Sequence, residues 1–158
     1  SILNNLYMRQ VGTFGSVDRD PGERVISIAY YALINVKDYD DKLRMEHGLE
    51  WMDFNQLPEL YSDHKEMVSH ALHIMRQKIK TEPISFRLLP SLFTLTQLQR
   101  LYEAVLGEEV DKRNFRKHIK DTDFIEKTEL IDKTGSKRGA FLYRFNKKMF
   151  NEESIFKL

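Results

Sequence analysis

The sequence predicts an α+β chain of two modules, and three observations lead to that prediction. The chain has 158 residues, 41% of them hydrophobic, which is enough to bury one average core or two small ones. The stretch "TEPISFRLLP" at 81–90 contains two prolines and interrupts the pattern that precedes it. Charge also segregates, because residues 1–83 carry 10 Lys/Arg and 13 Asp/Glu (−3), whereas residues 84–158 carry 15 and 11 (+4). We therefore predict modules at 1–80 and 81–158, the second with an anionic partner.

The composition excludes several kinds of site. The chain has no cysteine, so disulfides, thiolate zinc sites and cysteine nucleophiles are excluded. Its longest apolar run, Val25–Ile34, is too short to span a bilayer, and residues 1–10 lack the basic-then-apolar layout of a signal peptide. We expect a cytoplasmic protein without a membrane partner.

The first module is predicted to run strand, polar loop, strand, turn, strand and helix, with the third strand at the start of "LEWMDFNQLPEL". Leu6–Phe14 has the composition of a strand, and "GSVDRDPGE" at 15–23 is a loop punctuated by Pro and Gly. Arg24–Val36 is apolar and β-branched without polar alternation, so we expect a strand covered on both faces. Asp63 can cap a helix that runs to about Lys80. That helix would turn one apolar face inward, made up of Met67, Ala71, Ile74 and Met75.

The second module is predicted to be a helix, a short turn, a second helix and a hairpin. Thr96 and Gln99 have the spacing of a capping box, and Gly107 is a natural stop for the first helix. Asp111 can cap the second helix, "KRNFRKHIKD". The strand-like runs "DFIEKTELID" and "AFLYRFNKKMF" follow, joined by the basic tip "KTGSKRG". This order is that of a winged helix-turn-helix domain.

The second helix concentrates positive charge on one side. With about 100° per residue, its five cations fall within an arc of about 140° that starts at Lys112, whereas Phe115 and Ile119 fall near 300° and 340°. Clustered cations repel one another, so helix stability does not explain them. A solvated basic face is the alternative, but the basic hairpin tip that follows favours a nucleic-acid interface.

DNA fits this helix for a geometric reason. The major groove admits one α-helix, and Arg and Asn can bond base edges bidentately. We assign base contacts to Arg113, Asn114 and Lys117 and phosphate contacts to Lys112, Arg116 and Lys120, with exchange between the two groups left open. The hairpin tip adds a further set of predicted DNA contacts: Lys133, Ser136, Lys137 and Arg138.

Four stretches of the chain resemble parts of Nudix-related transcriptional regulators. "GTFGSVDRDPGERVISIAYYALI" and "LEWMDFNQLPELYSDHKEMVSHAL" resemble the second half of their Nudix-like domain. "PISFRLLPSLFTLTQLQRLYEAVLGEEVDKRNFRKHI" and "FIEKTELIDKTGSKRGAFLYRFN" resemble their C-terminal winged helix. The resemblance implies a partial Nudix-like α/β sandwich followed by a winged helix, in a homodimeric repressor on a palindromic operator. The arabinose-responsive branch is the most similar, which implies L-arabinose as effector. ADP-ribose, the effector of another branch, is the alternative.

One departure from the Nudix pattern bears on enzymatic activity. The box GX5EX7REUXEEXGU, whose glutamates hold Mg²⁺ against a pyrophosphate, has no counterpart here, and the chain begins about where it would end. We therefore expect no hydrolysis, no catalytic residues and no cofactor, and we assign no effector-binding residues. The rival functions are a Nudix hydrolase acting on ADP-ribose or a related nucleoside diphosphate, and a winged-helix module for protein interaction.

Two other groups of residues are weaker candidates for a metal or ligand site. His70 and His73 are three residues apart on the predicted helix, but two histidines without a third ligand do not predict a metal site. Asp18, Asp20 and Glu23 lack the spacing of a calcium loop. We interpret them as a turn with arginine partners, Arg19 and Arg24, and through the resemblance as a weak effector candidate.

Overall fold

The computed structural model describes residues 7–34, 45, 48, 50–82, 84–134 and 138–146, without the side chains of residues 86 and 87. It divides into two compact units, Ser1–Ile74 and Met75–Leu158. The division falls within helix α1, His64–Thr81, whereas the predicted boundary lies at the end of that helix. No helix in the described part of the chain is long and apolar enough to cross a membrane.

The first unit is built on an antiparallel ribbon of two strands. β1 (Tyr7–Phe14) pairs with β2 (Ser27–Leu33), from Tyr7 opposite Leu33 to Phe14 opposite Ser27, with a bulge between Gln10 and Gly12. The expectation that β2 is covered on both faces is wrong for the described residues, because Ile28 and Tyr30 are 56% and 55% exposed. Strand side chains alternate between two faces, and only one face of this ribbon is packed.

Helix α1 confirms the predicted span but not the predicted cap. The helix begins directly after Asp63, whose carboxylate is bound by Arg19 at 2.7 Å (Nε to Oδ2) and 2.9 Å (Nη2 to Oδ1). A carboxylate held in this way serves the ion pair rather than the helix amides. The predicted inner residues Met67, Ala71, Ile74 and Met75 are half-buried, and Ile79 is fully buried.

The second unit has the element order of a winged helix. After the end of α1 come a short 3₁₀ turn (Ile84–Arg87), β3 (Phe93–Thr94), α2 (Leu95–Leu106), α3 (Lys112–Asp121), β4 (Ile125–Asp132) and β5 (Ala140–Phe145). The three strands form an antiparallel sheet in the order β3-β5-β4. The buried core combines residues of this sheet with residues of both helices: Phe93, Leu98, Tyr102, Phe115, Ile119 and Tyr143.

Helix α2 is capped two residues earlier in the chain than predicted. Its capping box is formed by Thr94 and Gln97, with the Gln97 amide donating to Thr94 Oγ1 at 3.2 Å and the Thr94 amide donating to Gln97 Oε1 at 2.7 Å. The prediction of Thr96 and Gln99 was therefore wrong. "TLTQLQ" holds two overlapping T-x-x-Q patterns, and starting at Leu95 buries that side chain in the core.

Candidate nucleic-acid interface

Helix α3 is fixed to the domain by its apolar seam and a cap. Phe115 and Ile119 are only 5% and 3% exposed, and the Phe115 ring meets the Tyr102 ring edge-on with centroids 5.2 Å apart. Asp111 Oδ1 accepts the Asn114 amide at 2.7 Å, which confirms the predicted cap. The helix is thereby held with its polar side outward.

The outward side of α3 carries most of the predicted DNA-binding residues. Five of them are exposed: Lys112, Arg113, Asn114, Lys117 and Lys120. These side chains form one positively charged strip on a helix of ten residues, the size of element that the major groove accepts. Their roles as base or phosphate contacts stay predictions.

Arg116 differs from the other cations of α3. It is half-buried, and its Nη2 donates a hydrogen bond to Thr96 Oγ1 of α2 at 3.0 Å. Its Nε is enclosed and finds no acceptor among the residues that the structure describes. The predicted phosphate contact is thus also a link between α2 and α3, and Thr96 was not predicted to take part because the pair lies far apart in sequence.

The turn between α2 and α3 is held by an arginine from α1. Gly107 ends α2 in the left-handed region (φ 75°), as predicted, and its amide donates to Glu103 O at 2.8 Å. Arg76 Nε donates to Val105 O at 3.0 Å, and a Cβ at Gly107 would lie 2.7 Å from Arg76 Nη2. Glycine is therefore required here for both its backbone angle and the close approach of the guanidinium.

The hairpin between β4 and β5 is stabilised at its root. Asp132 Oδ1 accepts the Thr134 amide at 2.8 Å and the Thr134 hydroxyl at 2.6 Å, and these bonds hold the pKa of Asp132 below its usual value. Gly139 has φ 71°, and a Cβ there would lie 2.3 Å from Ile131 Cγ2.

The hairpin also carries the second set of predicted DNA contacts. Lys133 and Arg138 are exposed on the two sides of the tip, whereas Ser136 and Lys137 lie outside the described residues. Lys127 of β4 is not among the predicted DNA contacts. Its Nζ lies 3.5 Å from the centroid of the Phe141 ring, which is a cation–π contact.

The acidic loop of the first unit has different partners from those predicted. Arg19 pairs with Asp63, the residue before α1, rather than with the loop acids, and its Nη1 donates to Ser27 Oγ at 2.8 Å. Asp20 Oδ1 accepts the amides of Gly22 and Glu23, which closes a tight turn. Within the described residues, no group of three His, Asp or Glu side chains is arranged to hold a metal ion.

The geometry of the second unit defines the class of protein. A short strand, two helices joined by a tight turn and a basic hairpin on a three-stranded sheet make a winged-helix domain. Residues 85–145 match the sequence model of the NrtR DNA-binding winged helix domain, so this part of the chain is similar to winged helices of that type.

One curated relative matches most of this chain. It is the "ADPR responsive transcriptional repressor NtrR" of Acinetobacter baylyi, 33% identical over 145 residues. The match covers 90% of this chain and 58% of the relative. The chain therefore spans somewhat more than half the length of that repressor, and its similarity extends through both units.

Two solved structures share the fold. Shewanella oneidensis NrtR in complex with a 27mer DNA superposes with a TM-score of 0.74, at 24% identity, over 95% of this chain and 68% of that one. A second structure of Shewanella oneidensis NrtR gives a TM-score of 0.70 with the same identity and coverage. These likenesses establish the fold over nearly the whole chain, while the Nudix-like assignment of the first unit stays a prediction.

Proposed function

We propose that this chain is a sequence-specific DNA-binding transcriptional regulator of the repressor type, which acts as a homodimer on a palindromic operator. The observation that carries the proposal is the outer face of α3. Four exposed cations and Asn114 lie there, while Phe115 and Ile119 anchor the opposite side. The match of residues 85–145 to a DNA-binding winged helix and the name of the Acinetobacter relative support it.

A selection from random duplex DNA at near-physiological salt tests this proposal. Recovery of a palindromic motif is the expected result for a dimeric reader. DNA affinity that ignores sequence and stays at nonspecific values would contradict it and favour the protein-interaction module instead.

Two variants separate base reading from backbone contact in that experiment. Arg113→Ala should weaken binding of the selected motif by about 1–3 kcal/mol and relax its specificity. Arg138→Ala should weaken all DNA about equally and reduce the slope of log K against log salt by about 1. An unchanged motif and affinity in both variants would count against the assignment of these residues.

We further propose ADP-ribose as the effector that releases DNA. The name of the Acinetobacter relative supports ADP-ribose, and the comparisons lend no support to L-arabinose. Release requires that the ligand bind the DNA-competent state less well than another state. The loop at 15–23, tied to α1 through Arg19 and Asp63, is a candidate for part of the effector site.

Titration of ligands into the protein–DNA complex tests the effector. ADP-ribose should release the selected duplex, whereas L-arabinose and adenosine monophosphate should leave it bound. Release by arabinose alone would contradict the choice of ligand. Magnesium-dependent turnover of ADP-ribose would instead support a hydrolase.

A further inference from the structure

Arg116 is the one cation of α3 that the described contacts tie to a neighbouring helix. The other Lys and Arg side chains of α3 are exposed, whereas Arg116 is half-buried and bonded to Thr96. Thr96 is itself exposed in the first turn of α2. The pair therefore lies at the surface of the helix-turn-helix and joins α2 to α3.

The chemistry of the pair leaves Arg116 able to bind a further acceptor. A guanidinium has five N–H donors in a planar fork, and Thr96 takes one of those on Nη2. The hydrogen bond at Nη2 and the enclosure of Nε together restrict rotation of the guanidinium plane. The charge remains available to a phosphate or a base edge.

We propose that Thr96 is a positioning residue of the DNA interface, whose hydroxyl holds Arg116 in one orientation before DNA arrives. This inference rests on the proposed DNA-binding function and deepens it. A long cationic side chain loses rotamer entropy when it is fixed on DNA, and an arginine that is already fixed loses less. Arg116 thus contributes more to DNA affinity, and to the position of α3 on the DNA, than an exposed cation does. This additional contribution depends on Thr96.

A double-mutant cycle on DNA binding tests the dependence. The probes are the duplex recovered by selection and a duplex of shuffled sequence. Thr96→Val removes the hydroxyl and keeps the shape, so it should weaken binding of the selected duplex roughly tenfold, the effect of losing one hydrogen bond to a charged group. Thr96→Ser should restore binding. In the Arg116→Met background, Thr96→Val should have no further effect.

Matched controls exclude a general loss of charge or of fold. Lys80→Met removes one exposed cation from α1 and should change binding less than Arg116→Met does. The thermal midpoint of Thr96→Val should stay close to that of the unmodified chain, because Thr96 is exposed. An equal loss of DNA affinity in the presence and absence of Arg116 would overturn the proposal, because Thr96 would then act independently of Arg116.

A second measurement needs no DNA and separates this inference from the proposed function. The side-chain ¹⁵N–¹H resonances of Arg116 should show slow rotation and slow hydrogen exchange in the unmodified chain and in Thr96→Ser, and faster rates in Thr96→Val. Rates that are the same in all three would overturn the positioning role, whatever the DNA result. Restricted rates in a chain that selects no DNA motif would instead retain the positioning role and refute the DNA reader.

Discussion

The two units differ in how completely they cover their apolar residues. In the second unit, Phe93, Leu98 and Tyr102 are almost fully buried between the sheet and the helices. In the first unit, large apolar side chains are exposed on the ribbon and in the segment before α1: Met8, Ile28, Tyr30, Trp51, Met52, Phe54 and Tyr61. Among the described residues, the second unit thus has a closed core and exposes large apolar side chains only on its hairpin, at Leu130, Ile131 and Phe141. The first unit instead leaves one face of its ribbon exposed among the described residues.

This difference shows where local sequence patterns are sufficient to predict which residues are buried. A winged helix closes its core with elements that follow one another along a short stretch of chain, so each cap, stop and seam has its partner nearby. The ribbon of the first unit presents apolar residues on both faces, and the pattern of β2 alone does not say which face is covered.

The largest expected effect comes from comparing an isoleucine-to-alanine substitution in the second unit with one in the first unit. Ile119→Ala empties a core position of α3 and should lower the free energy of unfolding of the second unit by about 2–5 kcal/mol. Ile28→Ala removes the same atoms from the exposed face of β2 and should change stability by less than about 0.5 kcal/mol.

Chemical denaturation followed by circular dichroism measures both effects. A loss for Ile28→Ala as large as that for Ile119→Ala would break the comparison. It would mean that the exposed ribbon face is covered in solution.

The next effect compares two glycines with left-handed backbone angles. Gly107→Ala should destabilise by about 1–3 kcal/mol, because an alanine at φ 75° is strained and its Cβ would displace Arg76. Gly48 has φ 61°, and no atom of the described residues lies within 4 Å of the position that a Cβ would take. Gly48→Ala should therefore lose only the stability that the strained backbone angle costs. Thermal unfolding of the two variants measures the difference.

A third variant isolates the contact with the guanidinium. Combining Gly107→Ala with Arg76→Ala should remove the additional loss, because the alanine methyl group then has room. If the double variant is as unstable as the sum of the two single variants, the close approach of Arg76 does not matter.

Much of the winged helix was predictable because its signals are short-range. The cap at Asp111, the stop at Gly107 and the seam of Phe115 and Ile119 each follow from residues within one or two turns, and the structure confirms all three. The contacts that were missed join distant residues, such as Arg76 with Val105 and Arg116 with Thr96. Neither residue type nor spacing identifies such partners before the helices are packed.

Two further errors have the same physical origin. The sequence predicts the capping box at Thr96 because two overlapping patterns are equal in sequence, and burial of Leu95 decides for Thr94. The partner of Arg19 was expected among the neighbouring acids, but Asp63 lies close in space and offers both carboxylate oxygens. Where two local pairings are equally consistent with the sequence, tertiary packing therefore decides which one forms.

A smaller effect is expected at the start of α3. Asp111→Ala removes the acceptor of the Asn114 amide and should lower the free energy of unfolding by about 1 kcal/mol. Asp111→Ser, which can also cap, should recover most of it. Helix fraying should appear as faster amide exchange in the first turn of α3, and unchanged exchange at Asn114 would contradict the capping role.

The smallest effect is a dependence of the first unit on acidity. The Arg19 guanidinium holds the pKa of Asp63 below its usual value of 3.8 in the folded chain. The stabilisation is therefore fully present above the unfolded pKa and is lost as pH falls through the lower folded pKa. Lowering the pH from about 5 to 2 should reduce the stability of the unmodified chain by more than that of Asp63→Asn, which has no carboxylate to protonate. Arg19→Met should show the same reduced dependence on pH. Identical pH profiles for all three chains would show that the ion pair contributes nothing to the stability of the first unit.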